Sequence, residues 1–328
     1  MKKKLITILK FGLPLALGIF LIWLSFRKLT HEDIESIKFS FKNANYFWIW
    51  VSIILAILSH VSRAYRWRYT LEPLGYHPKF LNSFMAVMIG YLVNLGIPRM
   101  GEISRAAAMT KYEDIPFNKG FGTIIAERVA DMIFLMVFII VVVAIQLTTL
   151  QDYLVITFEN FNPIYTAITL SVLALFGLLF LRFIQRSEIA FFIKVREFIM
   201  GIIEGIKAIL KMKDSAKFIA HTFLIWLLYV LMFYLGMNAI PELNNVPSGG
   251  VLSAFVIGGI SIAVTNGGIG AYPYGVMQIL MLYHIEAAYG LAFGWIIWSA
   301  QTIMVLVIGG LSFIFIPIYN KDFDAKSD

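Results

Sequence analysis

The sequence predicts an all-α polytopic membrane protein with about six full spans and two re-entrant broken-helix segments, hence about six to eight crossings. Three observations predict this class. Hydrophobic residues make up 59% of the 328 positions and charged residues 14%, with a mean hydropathy of +0.80, more apolar surface than a soluble domain can hide. The apolar residues lie in separate runs, several of them close to the ~20 residues a helix needs to cross hydrocarbon. The net charge of +7 gathers in a few connecting segments, which marks orientation and attraction to anionic headgroups rather than nucleic-acid binding.

The same composition excludes several function classes. There is no cysteine and the five histidines are scattered, so neither a disulfide framework nor a metal site is indicated, and no cofactor is implied. No GxSxG elbow, HExxH, Walker lysine loop or GxGxxG after a strand occurs. Familiar hydrolase, metalloprotease and nucleotide-binding signals are therefore missing, and no catalytic residue is assigned. Residues 1–328 read as one integral membrane domain.

Taken in order, Met1 to Lys10 carries four lysines and precedes the apolar run Phe11–Phe26, an uncleaved first span entering from the cytoplasm. Arg27–Asn45 mixes both charge signs and reads as a surface loop. Tyr46–Ser62 is the second span, with Tyr46, Trp48 and Trp50 in an aromatic belt. It runs into Arg63, Arg66 and Arg68, interleaved with Tyr65, Trp67 and Tyr69. That pattern lets guanidinium groups at the cytoplasmic interface reach phosphates, but orientation and anchoring alone is the preferred reading, because such belts flank most spans.

Phe80–Ile97 enters the membrane and stops at Pro98, and Phe121–Ile145 is a strong span holding Glu127, Arg128 and Asp131 in its first turns. Residues 146–163 contain no lysine or arginine, whereas 182–217 contain eight. The first segment is therefore external, 164–181 returns inward, and 182–217 is a cytoplasmic amphipathic helical segment between the halves. Phe218–Ala239 leads outward, Val251–Val264 is short for a span, Thr265–Pro273 is a breaker cluster, and Ala288–Ile316 is the last long span. Both termini fall on the cytoplasmic side of a bacterial inner membrane under this map.

The charge map is consistent if 80–110 and 251–283 are re-entrant, one entering from each side. Span 46–62, broken segment and span 121–145 are then mirrored by span 218–239, broken segment and span 288–316, which has the form of an inverted repeat. Paired Gly/Pro-interrupted segments in two halves point to a substrate site near the midplane of a transporter.

The polar chemistry lies in those breaks. Pro98 suits a helix first turn, after which Arg99, Glu102 and Arg105 fall at i, i+3 and i+6 as a plus, minus, plus ladder beside Asn94. Free amides at that helix start and a preset arginine make an anion site, with Arg128 as a second phosphate contact and Glu127 and Asp131 as counter-charges. The alternative is a set of buried ion pairs locking helices together. In the second break, Asn266, Gly267, Gly268 and Gly270 expose backbone that can line the other side of a cavity, or simply interrupt a helix for packing.

The residues PRMGEISRAAAM, followed by IIAERVADMI, resemble the lysylphosphatidylglycerol synthase transmembrane region family, also called the flippase-like domain family. That family shows a P-x-R-x-G-E-x-x-R type signature, an E-R-x-x-D on the next span and a late G-G-x-G turn. Pro98 to Arg105, Glu127 to Asp131 and Gly267 to Gly270 stand in those places, with Pro98 and Arg99 adjacent and with Ala271, Tyr272 and Pro273 where many members carry a glutamate. The resemblance implies movement of a phospholipid across the bilayer, the soluble synthase domain of multidomain members having no counterpart in the residues after Ile318.

The reading is an inner-membrane lipid translocase or lipid-binding transporter, handling a phosphate-bearing phospholipid or polyprenyl-linked lipid, and transporter-like rather than enzymatic. Its partners are membrane lipids, and a cytoplasmic or envelope-biosynthesis protein could dock on 182–217. An enzyme of lipid-linked headgroup or sugar transfer, and a non-transporting partner of an envelope enzyme, are the competing readings.

Overall fold

The structure is a computed structural model that describes residues 2–27, 29–146, 200 and 209–321. All but Gln146 of the loop expected at 146–163, the span at 164–181 and most of the amphipathic segment 182–217 lie outside the described residues. The packing divides the chain into two units, residues 1–127 with 216–328, and residues 128–215. Among the described residues every regular element is helical: α1 (Lys2–Phe26), α2 (His31–Asn43), α3 (Tyr46–Leu71), α4 (Phe80–Gly96), α5 (Gly101–Glu113), α6 (Phe117–Ile145), α7 (Ser215–Met237), α8 (Ser248–Val264), α9 (Ala271–Met281) and α10 (Ala287–Tyr319). Of these, α3 with the turn after it, α6, α7 and α10 are long and apolar enough to cross a membrane.

Both broken segments of the first unit fold as helical hairpins. Each has a first arm of 17 residues, α4 and α8, and a shorter second arm of 13 residues in α5 and 11 in α9. The arms of the α4–α5 hairpin close up at Gly90 and Gly101, where a Cβ added to Gly101 would collide with the Gly90 carbonyl. Two apolar clusters serve the two hairpins. Trp67, Leu71, Ala86, Met109, Ile115 and Ile124 pack around the first, and Phe233, Tyr272, Val276, Phe293 and Ile297 around the second.

The segment expected as a loop at 27–45 is a helix instead. Thr30 and Asp33 form a capping box, each side chain bonding the other's backbone amide, and so start α2. Ile37 and Ser40 are buried beneath it while Glu35 and Lys38 pair at 2.8 Å on the open face. Mixed charge here marks one side of an amphipathic helix.

At the far end of α10, Asn320 donates to Asn82 Oδ1 at 2.8 Å and accepts from Asn82 Nδ2 at 2.9 Å. Asn82 Nδ2 also donates to Glu113, which accepts the Lys79 amide at 3.0 Å. This buried clasp joins the start of α4 and the end of α5 to α10. In the second unit, the described chain is the remainder of α6 from Arg128 and a helical turn at residues 209–211.

Candidate functional site

The buried charged residues among the described ones are Arg63, Arg66, Arg105 and Glu127, with His60 beside them. They come from three elements of the first unit. Helix α3 does not stop at Ser62 but continues to Leu71, and this carries the basic aromatic run into the protein. At helical spacing, Ser59, Ser62, Arg63, Arg66 and Thr70 face inward, while Tyr65 and Arg68 face outward. The expectation that all three arginines of the run lie at the membrane surface is thus corrected: only Arg68 is exposed, next to Glu72.

Glu127 holds two guanidinium groups. Arg105 Nη1 lies 2.8 Å from Glu127 Oε2 and Arg66 Nε lies 3.6 Å from Glu127 Oε1. Arg105 is also stacked on Trp67, its Cζ 3.6 Å from the ring centroid, a cation–π contact strengthened by exclusion of water. The indole is fixed in turn, since Trp67 Nε1 donates to Thr123 Oγ1 at 2.9 Å and Thr123 Oγ1 donates to the Gly120 carbonyl at 2.7 Å. Arg66 Nη1 donates to Thr222 Oγ1 at 2.9 Å, and its Cζ sits 5.0 Å from the Phe218 ring centroid. Arg63 Nη2 donates to Tyr229 Oη at 3.3 Å, and Tyr229 Oη lies 3.5 Å from Tyr91 Oη.

The structure unites some of the predicted residues and separates others. Arg105 and Glu127 meet, but Arg99 is not on the α5 face. It is exposed, sits in the turn before the helix at φ +65, and leaves the expected ladder without its first rung. Pro98 likewise lies in the turn rather than in the helix, and the Gly101 amide, expected free for an anion, donates to Asn94 Oδ1 at 2.7 Å. Glu102 is half-buried in the first turn of α5. Arg128 and Asp131 are half-buried on the part of α6 that belongs to the second unit.

In the second break, Gly267, Gly268 and Gly270 take positive φ of +62, +80 and +69, and Asn266 is half-buried. The Gly267 carbonyl accepts from Trp298 Nε1 at 2.7 Å, so one carbonyl of this turn is already engaged. The two breaks face each other: a Cβ built on Gly267 would lie 3.5 Å from Leu95 Cδ2, at the end of α4.

Thr222 and Tyr229 are the residues that sequence reasoning passed over, and Arg63, Arg66 and Trp67 were expected at the membrane surface. The signal was the three-residue step from Arg63 to Arg66 inside a pattern that stays helical beyond Ser62.

A sequence model of the lysylphosphatidylglycerol synthase transmembrane region matches residues 12–309. The UPF0104 membrane protein MJ1595 of Methanocaldococcus jannaschii is 34% identical over 115 residues, a stretch covering 34% of this chain and 34% of that protein. No solved structure matches.

Proposed function

The chain belongs to the lysylphosphatidylglycerol synthase transmembrane region family, and from that premise we propose that it is a lipid translocase of the inner membrane that takes hold of a lipid through its phosphate. The observation that supports this reading is the gathering of guanidinium groups at depth: among the described residues the buried charged side chains are three arginines and one glutamate. Guanidinium groups are the side chains best matched to phosphate oxygens, and the anion that a bilayer offers is the phosphate of a phospholipid or polyprenyl carrier. A guanidinium held flat on an indole presents its donors as a planar fork, the geometry that matches phosphate oxygens.

Two further features favour movement over chemistry. The tips of the two hairpins face each other, the arrangement in which a site between two halves opens to alternate sides. The buried carboxylate, Glu127, is occupied by Arg66 and Arg105, whereas a headgroup-transfer enzyme needs one aimed at a substrate proton.

The test is reconstitution. Vesicles containing the protein should exchange fluorescent phosphatidylglycerol between leaflets faster than empty vesicles, and Arg105→Gln should slow the exchange about tenfold, the loss of a hydrogen bond from a charged donor. Purified protein that neither moves nor retains any phosphate-bearing lipid overturns the reading.

A further inference from the structure

Helices α3 and α7 are not closely packed along their length. Their backbones approach where Gly236 faces Ser52, with a Cβ on Gly236 lying 3.7 Å from Ser52 Oγ. Towards the start of α7 the interval is bridged by long polar side chains, which form a continuous series. Lys217 Nζ stands 6.0 Å from the Tyr69 ring centroid. One turn on, His221 Nδ1 is 2.9 Å from Ser62 Oγ, with its ring stacked 5.3 Å from Tyr65. Next come Thr222 with Arg66, then Tyr229 with Arg63 and Tyr91, and finally Tyr91 against the His60 ring at 4.5 Å.

From Lys217 to Tyr229 this series runs about 18 Å along α7 at 1.5 Å per residue. Exposure falls towards its middle: Lys217 and Tyr65 are exposed, His221 is half-buried, Thr222, Arg66 and Arg63 are buried, and Tyr229 and Tyr91 beyond them are half-buried. Nearly every member is a hydrogen-bond donor suited to phosphate oxygens. Ionisable groups buried in the helices of a membrane protein are rare, and substrate pathways are one of the uses they mark.

We propose that the seam between α3 and α7 is the path by which a lipid phosphate passes between the surface at Lys217 and the buried arginines, with the acyl chains left in the surrounding bilayer. Lys217, His221 and Tyr65 form its mouth. The Tyr229 hydroxyl, shared between Arg63 and Tyr91, hands the phosphate to the interior. This proposal rests on the translocase reading and adds to it the route and its entrance.

The chain's lack of cysteine makes the test direct, because a single introduced thiol can be charged at will. Lys217→Cys places one at the mouth on an exposed position, and Lys111→Cys places one at an exposed lysine on α5 as a control. Both variants, in vesicles of phosphatidylcholine and phosphatidylglycerol, are modified with a sulfonate-bearing or a trimethylammonium-bearing methanethiosulfonate. Leaflet exchange is then followed for three fluorescent lipids: phosphatidylglycerol, a polyprenyl phosphate, and a glycolipid without phosphate.

The sulfonate at position 217 should slow phosphate-lipid exchange about fivefold, the ammonium label should stay within about twofold of wild type, and thiol reduction should restore the rate. Neither label at position 111 should matter, the glycolipid should not move, and whichever phosphate lipid responds identifies the source of the phosphate. Tyr229→Phe, which keeps the ring, should slow exchange about threefold. Equal rates with both labels at position 217, or full activity of Tyr229→Phe, overturn the path while leaving an active wild type as support for translocation. A wild-type protein that moves no lipid overturns both.

Discussion

In the α4–α5 hairpin the chain reverses between Gly96 and Gly101 with an arginine, Arg99, at φ +65. Asn94 accepts the first amide of the returning helix. In the α8–α9 hairpin the reversal from Thr265 to Gly270 rests on three glycines at positive φ and carries no charge. A left-handed arginine costs about 1–2 kcal/mol that a glycine does not. Arg99 therefore strains the first turn where a glycine would not. The second turn is crowded against α1, since a Cβ on Gly270 would run into the Gly18 carbonyl. Both hairpins rely on close backbone approach, at Gly101 and at Gly270, and the first turn alone of the two carries a charge.

That contrast is most exposed at Glu127, which ties the charged hairpin to α3 through Arg105 and Arg66. Glu127→Ala should lower stability by about 3–5 kcal/mol, because it strands buried guanidinium groups. Thermal unfolding in detergent measures this, and a loss below about 1 kcal/mol would show that the ion pairs do not organise the first hairpin. Gly270→Ala should cost about 1–3 kcal/mol in the same assay. Gly96→Ala, at the end of α4 with nothing within 4 Å of the new Cβ, should be neutral or gain up to about 1 kcal/mol. Equal effects at the two glycines would erase the distinction between the turns.

Arg99→Gly sharpens the comparison from the other side. It should raise stability by about 1–2 kcal/mol while weakening phosphate-lipid binding in a vesicle pull-down. A gain in stability with binding intact would make Arg99 a turn residue and nothing more.

The smallest effect concerns α2, whose Ile37 joins the cluster around the second hairpin. Hydrogen bonds from the Thr30 amide and hydroxyl hold the Asp33 carboxyl below its ordinary 3.8. The folded value is the depressed one, so the cap contributes fully above pH 3.8 and is lost as pH falls through the lower folded value. Amide exchange should show α2 fraying at the acid end in wild type, and Asp33→Asn should flatten that dependence.

Much of the fold is legible because a membrane span writes itself as length and apolarity. Val251–Val264 and Ala288–Ile316 in the sequence correspond closely to α8 and α10. Both breaks were marked by Gly and Pro, which act locally and so show locally. Arg63 and Arg66 were harder to read, since a basic run after an apolar stretch has the same composition whether it stays at the surface or continues inward as a helix. Only the partners Glu127, Thr222 and Tyr229, remote in sequence, decide between those fates. Arg99 was assigned to a helix by its spacing, but the Asn94 cap on Gly101 starts that helix two residues later. The loop expected over 27–45 concealed a capping box, whose Thr30 and Asp33 are visible once sought.

The clasp of Asn82, Glu113 and Asn320 has a consequence for assembly. Its two asparagines are 238 residues apart, and synthesis proceeds from the N-terminus. The first hairpin is therefore made long before the residue that latches it, and α10 completes the packing of α4 and α5. A ribosome stalled short of Asn320 would leave the arginine-bearing hairpin without its latch, so a helix far along the chain finishes the packing of a much earlier one.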